Sequence, residues 1–130
     1  MKFVAIREHH LYNKAYKQGG RFVGKTVAVY ILRDYAAKRL MKAHPLKTYV
    51  NRIGLSVTKK IGGACVRTRS KRIIREALRA IERETPLKKG HLVVIAARSE
   101  IVGKKTQDVE RDLRRAFAHL RFVADGSEPQ

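Results

Sequence analysis

Tryptophan is absent, and cysteine occurs once, as Cys65. A lone thiol excludes an intrachain disulfide, so the fold must rest on packing, and a reducing cytosol is its simplest setting. At 130 residues, the chain can bury about two-thirds of its unfolded surface without a metal or disulfide staple. No apolar run reaches the length of about 18 residues that a membrane-spanning helix requires. The opening "MKFVAIREHH" has a cation but lacks the apolar stretch of a secretory signal. Acids are the other scarcity, with 11 Asp and Glu against 30 Lys and Arg, for a net charge of +19.

What is present must explain that charge. Hydrophobic residues make up 44% of the chain, which excludes wholesale disorder. Self-repulsion among so many cations opposes the compact state, and solubility alone does not require it. A resident polyanion does, and a folded basic domain points first to nucleic acid. An anionic membrane surface is disfavoured, because no helix sets a Trp/Phe/Leu face against its basic one.

One domain, residues 1–123, is expected, followed by a polar, acidic tail, "ADGSEPQ", at 124–130. Leu11, Ala15 and the Tyr12/Tyr16 pair have helical spacing up to a cap at Gly19, which predicts a helix from about Glu8 to Gln18. Val27, Val29 and Ile31 alternate with Ala28, Tyr30 and Leu32, as in a strand, and Gly24 separates off a short leading strand. The stretch 35–49 reads as a long connection broken at His44-Pro45, with a helical turn or two within 36–42. Ile53, Leu55 and Val57 alternate again. Gly62-Gly63 turns the chain into a helix from Ala64 to about Glu84. After a turn at Gly90, a buried strand covers Leu92 to Ala97. A final helix begins with Thr106 as its N-cap, and Val109, Leu113, Ala116, Phe117 and Leu120 form its apolar stripe. The fold class is α+β, a sheet with helices packed on it.

The helix from Ala64 carries the clearest signal. With Arg67 as origin and about 100° per residue, Lys71, Arg75, Arg79, Arg72, Arg83 and Arg69 fall between roughly 40° and 200°. Val66, Ile73, Ala77, Ser70, Ile81, Ile74 and Leu78 fill the remaining arc. One face is made to be buried and the other is a cationic stripe. Arg67, Lys71, Arg75 and Arg79 stand four apart, a like-charge row that destabilises an isolated helix. Glu76 and Glu82 supply only a few partners at this spacing, such as Arg72 and Arg79 for Glu76, so most of the charge is not neutralised within the helix. A phosphate partner relieves the penalty, and the planar Arg fork suits it. Tyr12, Tyr16 and Tyr30 have two readings: stacking platforms for unpaired bases, or core residues with satisfied hydroxyls.

A nuclease working alone would need clustered carboxylates or a histidine base. The acids are scattered; Asp108, Glu110 and Asp112 near a helix start complement its dipole. The five histidines form no pattern with an acid or with Cys65, which reads as a small packed residue. No catalytic residue, metal ligand set or bound cofactor is expected of the chain itself.

The stretch "RIGLSVTKKIGGACVRTRSKRIIREAL", Arg52 to Leu78, closely resembles the bacterial ribonuclease P protein family. Its pattern is a strand ending in Ser/Thr-Lys-Lys, a glycine turn, an Ala, then Arg-Asn-Arg, Lys-Arg and a further Arg. It falls here on Thr58, Lys59, Lys60, Gly62, Ala64, Arg67, Thr68, Arg69, Lys71, Arg72 and Arg75. "LYNKAYKQG", "VYIL", "HLVVIAAR" and "LRRAF" extend the resemblance over about Arg7 to Phe122. Thr68 departs from it, standing where the family usually has Asn.

The resemblance implies a single-domain α-β sandwich of order α-β-β-β-α-β-α with a left-handed β-α-β crossover. It implies an RNA-binding subunit that assists a catalytic RNA, its RNA partner, in cutting the 5′ leader from precursor tRNA. Mg²⁺ would serve the holoenzyme rather than this chain. Lys59, Lys60, Arg67, Thr68, Arg69, Lys71, Arg72 and Arg75 match its RNA-binding positions. Tyr12, Tyr16 and Tyr30 match the aromatics of its leader-binding cleft. A cytoplasmic protein with no membrane and no obligate protein partner is expected. A structural RNA-binding protein, such as a ribosomal component, is the rival reading.

Overall fold

A computed structural model describes residues 4–6, 9–33, 52–85, 87 and 91–122. The long connection at 35–49, the turn at Gly90 and the tail at 124–130 lie outside the described residues. In chain order the elements are β1 (Val4–Ala5), α1 (His9–Gln18), β2 (Gly20–Val23), β3 (Val27–Arg33), β4 (Arg52–Ser56), α2 (Ala64–Glu84), β5 (His91–Ala97) and α3 (Thr106–His119). A 3₁₀ turn at Ser99–Ile101 precedes α3. Apart from the two-residue β1, this is the order expected from the sequence, and the fold is the expected α+β sandwich.

The sheet runs β1-β4-β5-β3-β2. β3 is antiparallel to β2 and to β5, whereas β4 and β5 are parallel neighbours. Parallel neighbours cannot be joined by a hairpin. α2 supplies the crossover between them, so its two ends are fixed to adjacent strands near the middle of the sheet.

The strand period decides which helix covers which face. Val27, Val29, Ile53, Val93 and Ile95 point to one face and pack with Ile73, Ile74, Leu78 and Ile81 of α2 and Val109, Leu113 and Phe117 of α3. Leu92 and Val94 point to the other and pack with Leu11 and Ala15 of α1. β5 is therefore covered on both sides, which is why it reads as a continuous apolar run rather than an alternating one.

Two expectations at α3 need correcting. Thr106 is the first helical residue, and Lys105 holds the N-cap position. The Asp108 carboxylate reaches back to accept the Lys105 backbone N–H at 2.9 Å, so an acid three residues in does the capping. Asp112 does not complement the dipole from the surface. It is 7% exposed and accepts the Thr26 backbone N–H at 2.9 Å and the Thr26 hydroxyl. That pair ties α3 to the β2–β3 turn. The carboxylate is tolerated inside because both donors converge on one oxygen.

Candidate nucleic-acid interface

α2 is positioned by a turn that only glycine fits easily. Gly62 has φ +154°, and a β-carbon there would lie 3.0 Å from the Val66 side chain. Gly63 then starts the helix without a side-chain cap, and no acid lies in the first turn. Arg67 and Arg69 thus sit near the positive end of the helix dipole, where cations are disfavoured and anions welcome.

The buried face of α2 consists of Ser70, Ile73, Ile74, Ala77, Leu78 and Ile81, as the helical arc requires. Ser70 is accommodated by donating its hydroxyl to the Val66 carbonyl at 2.9 Å. Arg69, Arg72 and Arg75 are exposed and Lys71 is half-buried. Lys59 and Lys60 are exposed on the turn after β4, and Thr68 is exposed near the middle of the cationic arc. Arg67 is half-buried, and its Nε is enclosed with no hydrogen-bond partner among the described residues.

Several described acids are engaged away from the stripe. Arg111 pairs with Asp108 at 2.8 Å, and Arg114 with Glu84 at 2.7 Å and Glu110 at 3.0 Å. Glu76 does not serve Arg72 or Arg79 as the sequence suggested. Its carboxylate accepts the Thr106 hydroxyl of α3 at 3.0 Å. Among the described residues no carboxylate is in ion-pair contact with Lys59, Lys60, Arg72 or Arg75. Among the described residues these four cations keep their charge unpaired.

The tyrosines form a second locus, on the other face of the sheet. Tyr16 and Tyr30 meet edge to face, with ring centroids 4.8 Å apart and planes at 82°. Tyr30 and Tyr12 are half-buried against the α1 core, and Tyr16 is 37% exposed. Tyr12 lies against Gly54 of β4, where a β-carbon would be 2.5 Å from its hydroxyl oxygen. Burial, and then the neighbouring Tyr16 phenol, raise the Tyr12 pKa above the ordinary 10.0. Tyr12 and Tyr30 pack on the core beside α1, as the packing reading requires, while Tyr16 is exposed. Gly54 carries no signal in the sequence, because its role is set by a ring from a distant helix. Among the described residues no three His, Cys, Asp or Glu side chains gather as a metal-holding group.

A sheet with a helix that carries a cationic stripe, and a tyrosine cluster on its far side, defines a strongly basic protein of α+β class. Comparison with known proteins narrows the class. The family model described as Ribonuclease P matches residues 1–121, and the chain belongs to the ribonuclease P protein family. The ribonuclease P protein component of Clostridium acetobutylicum is 35% identical over 123 residues, covering 95% of this chain and 93% of that protein. One from Dehalococcoides mccartyi is 31% identical over 117 residues, covering 90% and 84%. In fold, the chain is similar to the RNase P protein of Staphylococcus aureus, with a TM-score of 0.72, 21% identity and coverage of 95% of this chain and 100% of that one. The Thermotoga maritima RNase P protein gives a TM-score of 0.65 at 20% identity, covering 85% and 92%. Membership makes the chain a subunit of an endoribonuclease holoenzyme that contains RNA. No helix among the described residues is long and apolar enough to cross a membrane.

Proposed function

We propose that this protein binds a catalytic RNA through the α2 stripe and the 5′ leader of precursor tRNA through Tyr12, Tyr16 and Tyr30. It thereby assists the RNA in removing the leader. The observation that carries this reading is the stripe itself: Lys59, Lys60, Arg69, Arg72 and Arg75 stand on one rigid support with no described acid to neutralise them. Phosphates are the partners that such a surface lacks. If about five side chains each neutralise one phosphate, the log–log dependence of affinity on salt has a slope of roughly −3.5 to −4.5.

The chemistry belongs to the RNA partner in this reading, with Mg²⁺ as the holoenzyme's ion. Two polyanions, substrate and catalytic RNA, must approach each other, and the protein's cations lower that repulsion. The tyrosine edges offer stacking surface to unpaired bases whatever their sequence. A cytoplasmic setting follows from the same role. The test is processing of a precursor tRNA by a catalytic RNA at low Mg²⁺, with and without this protein. Faster cleavage with the protein supports the reading, and no rescue sinks it. Equal affinity for substrates with and without leader nucleotides would favour a general structural RNA-binding role.

A further inference from the structure

The cationic stripe continues beyond α2. Arg69 donates from its guanidinium to the Lys104 carbonyl at 2.9 Å, joining α2 to the loop that enters α3. Gly103, at φ +79°, turns that loop with open space where a β-carbon would stand. Lys104 and Lys105 follow, both exposed. Arg69, Arg72 and Glu76 of α2 face Lys105, Thr106 and Gln107 across a cleft of about 350 Å³. Ile73 is the one apolar side chain in its lining.

The charges of this cleft are uneven. Glu76 is the only acid among its described lining residues, and its carboxylate is engaged by the Thr106 hydroxyl. Asp108, just outside, is held by the Lys105 backbone N–H and by Arg111. Arg69 retains N–H groups beyond the one bound to Lys104, since a guanidinium has five. No aromatic ring is among the described residues that line the cleft, so these offer hydrogen bonds and positive charge but no aromatic stacking surface. These are the requirements of a phosphodiester and not of a base.

We propose that the cleft between α2 and the start of α3 is a further phosphate-binding subsite for the catalytic RNA. It receives backbone phosphate between Arg69 and Arg72 on one side and Lys105 on the other, with the exposed Lys104 next to it on the same loop. The inference rests on the α2 reading above and extends the contact to a second helix. Catalytic RNA is the occupant because the cleft is continuous with the α2 stripe, whereas the tyrosines lie across the sheet. An RNA body docked here is held at two non-collinear places, which fixes its orientation as well as its distance.

The test is the double variant Lys104→Gln with Lys105→Gln. Neither side chain makes a described hydrogen bond or close ion pair, although both act on the Asp108 carboxylate through space; the cap uses the Lys105 backbone, so α3 is retained, and thermal unfolding checks this. Affinity for a catalytic RNA is measured across a salt series beside the wild-type protein and Arg75→Ala. The expected result is a slope shallower by about 1 to 2, since each lost phosphate contact removes about 0.9. The preference for leader-bearing over leaderless precursor tRNA stays as in the wild type. A wild-type slope in the double variant, with a shallower one in Arg75→Ala, overturns the subsite and leaves the α2 reading standing. Wild-type slopes in both overturn both. A loss confined to leader-bearing substrate would also overturn the proposal, by giving the cleft to the leader. Arginine at both positions should restore the slope; failure of that rescue counts against a phosphate contact.

Discussion

Tyr12 and Gly54 occupy one another's space. The phenol ring from α1 lies so close to the β4 backbone that an added β-carbon would stand 2.5 Å from Oη and 2.6 Å from Cζ. A ring in the candidate leader site is thus seated on a glycine 42 residues away in sequence, and any side chain at 54 must move it.

Gly54→Ala should therefore lower stability by about 1–3 kcal/mol through overpacking, read by denaturant unfolding. It should also weaken leader-bearing precursor tRNA more than mature tRNA. Selective loss places Tyr12 in the leader site. Equal affinities for both RNAs, unchanged from the wild type, would return it to a packing role.

Tyr16 is the most exposed of the three rings. Tyr16→Ala is expected to cost about 1–3 kcal/mol in binding of leader-bearing substrate, with mature tRNA little affected. Tyr16→Phe should keep most of the binding, because stacking needs the ring and not the hydroxyl. Fluorescence titration of both variants with the two RNAs separates the cases.

Arg75 is exposed, with no described acid in ion-pair contact. Arg75→Ala should leave the fold intact and make the salt slope for catalytic RNA shallower by about 0.9. Thr68 stands near the centre of the same arc. Thr68→Asn, which installs the amide usual in the family, should leave that slope unchanged, because it alters no charge. Filter binding across a salt series reads both.

Thr26 and Asp112 give a stability prediction remote from RNA. Asp112→Ala strands two buried donors, at about 1–3 kcal/mol for each unsatisfied group. Thr26→Val removes the hydroxyl but keeps the backbone N–H, and should cost less. Unfolding of each variant and of the double substitution tests the coupling; additive losses would show that the two residues do not act as a pair.

The raised pKa of Tyr12 has a definite sign. The unfolded phenol loses its proton near 10.0, and the folded one later. The contribution to stability is fully present below pH 10.0 and is lost as pH rises through the folded value. The stability difference between the wild type and Tyr12→Phe should be constant below that pH and shift against the wild type above it. An identical alkaline profile for the two would contradict the assignment.

Much of this arrangement can be read from periodicity. The α2 span, its buried arc and its cationic arc follow from a 3.6-residue repeat unbroken from Ala64 to Glu84. The split between β2 and β3 follows from Gly24, and the placement of Tyr30 opposite Val27 and Val29 follows from alternation. Periodicity reports which way a side chain faces but not what it meets. Asp112 looked like any acid near a helix start, yet its fellow is Thr26, on another element. Glu76 had arginines at helical spacing and took a threonine from α3. The two-residue β1 is too short to show a period at all, and the 35–49 connection lies outside the described residues.

Because α2 is the covalent bridge between the parallel strands β4 and β5, its cations are mounted on a beam clamped at both ends. A basic arm that orders only on meeting RNA spends part of its interaction energy on that ordering. Here the like charges are held in register beforehand, and the repulsion among them is borne by the core. On the proposed reading RNA would meet an array already spaced for it, so association should proceed without a folding step and respond to salt from the first encounter.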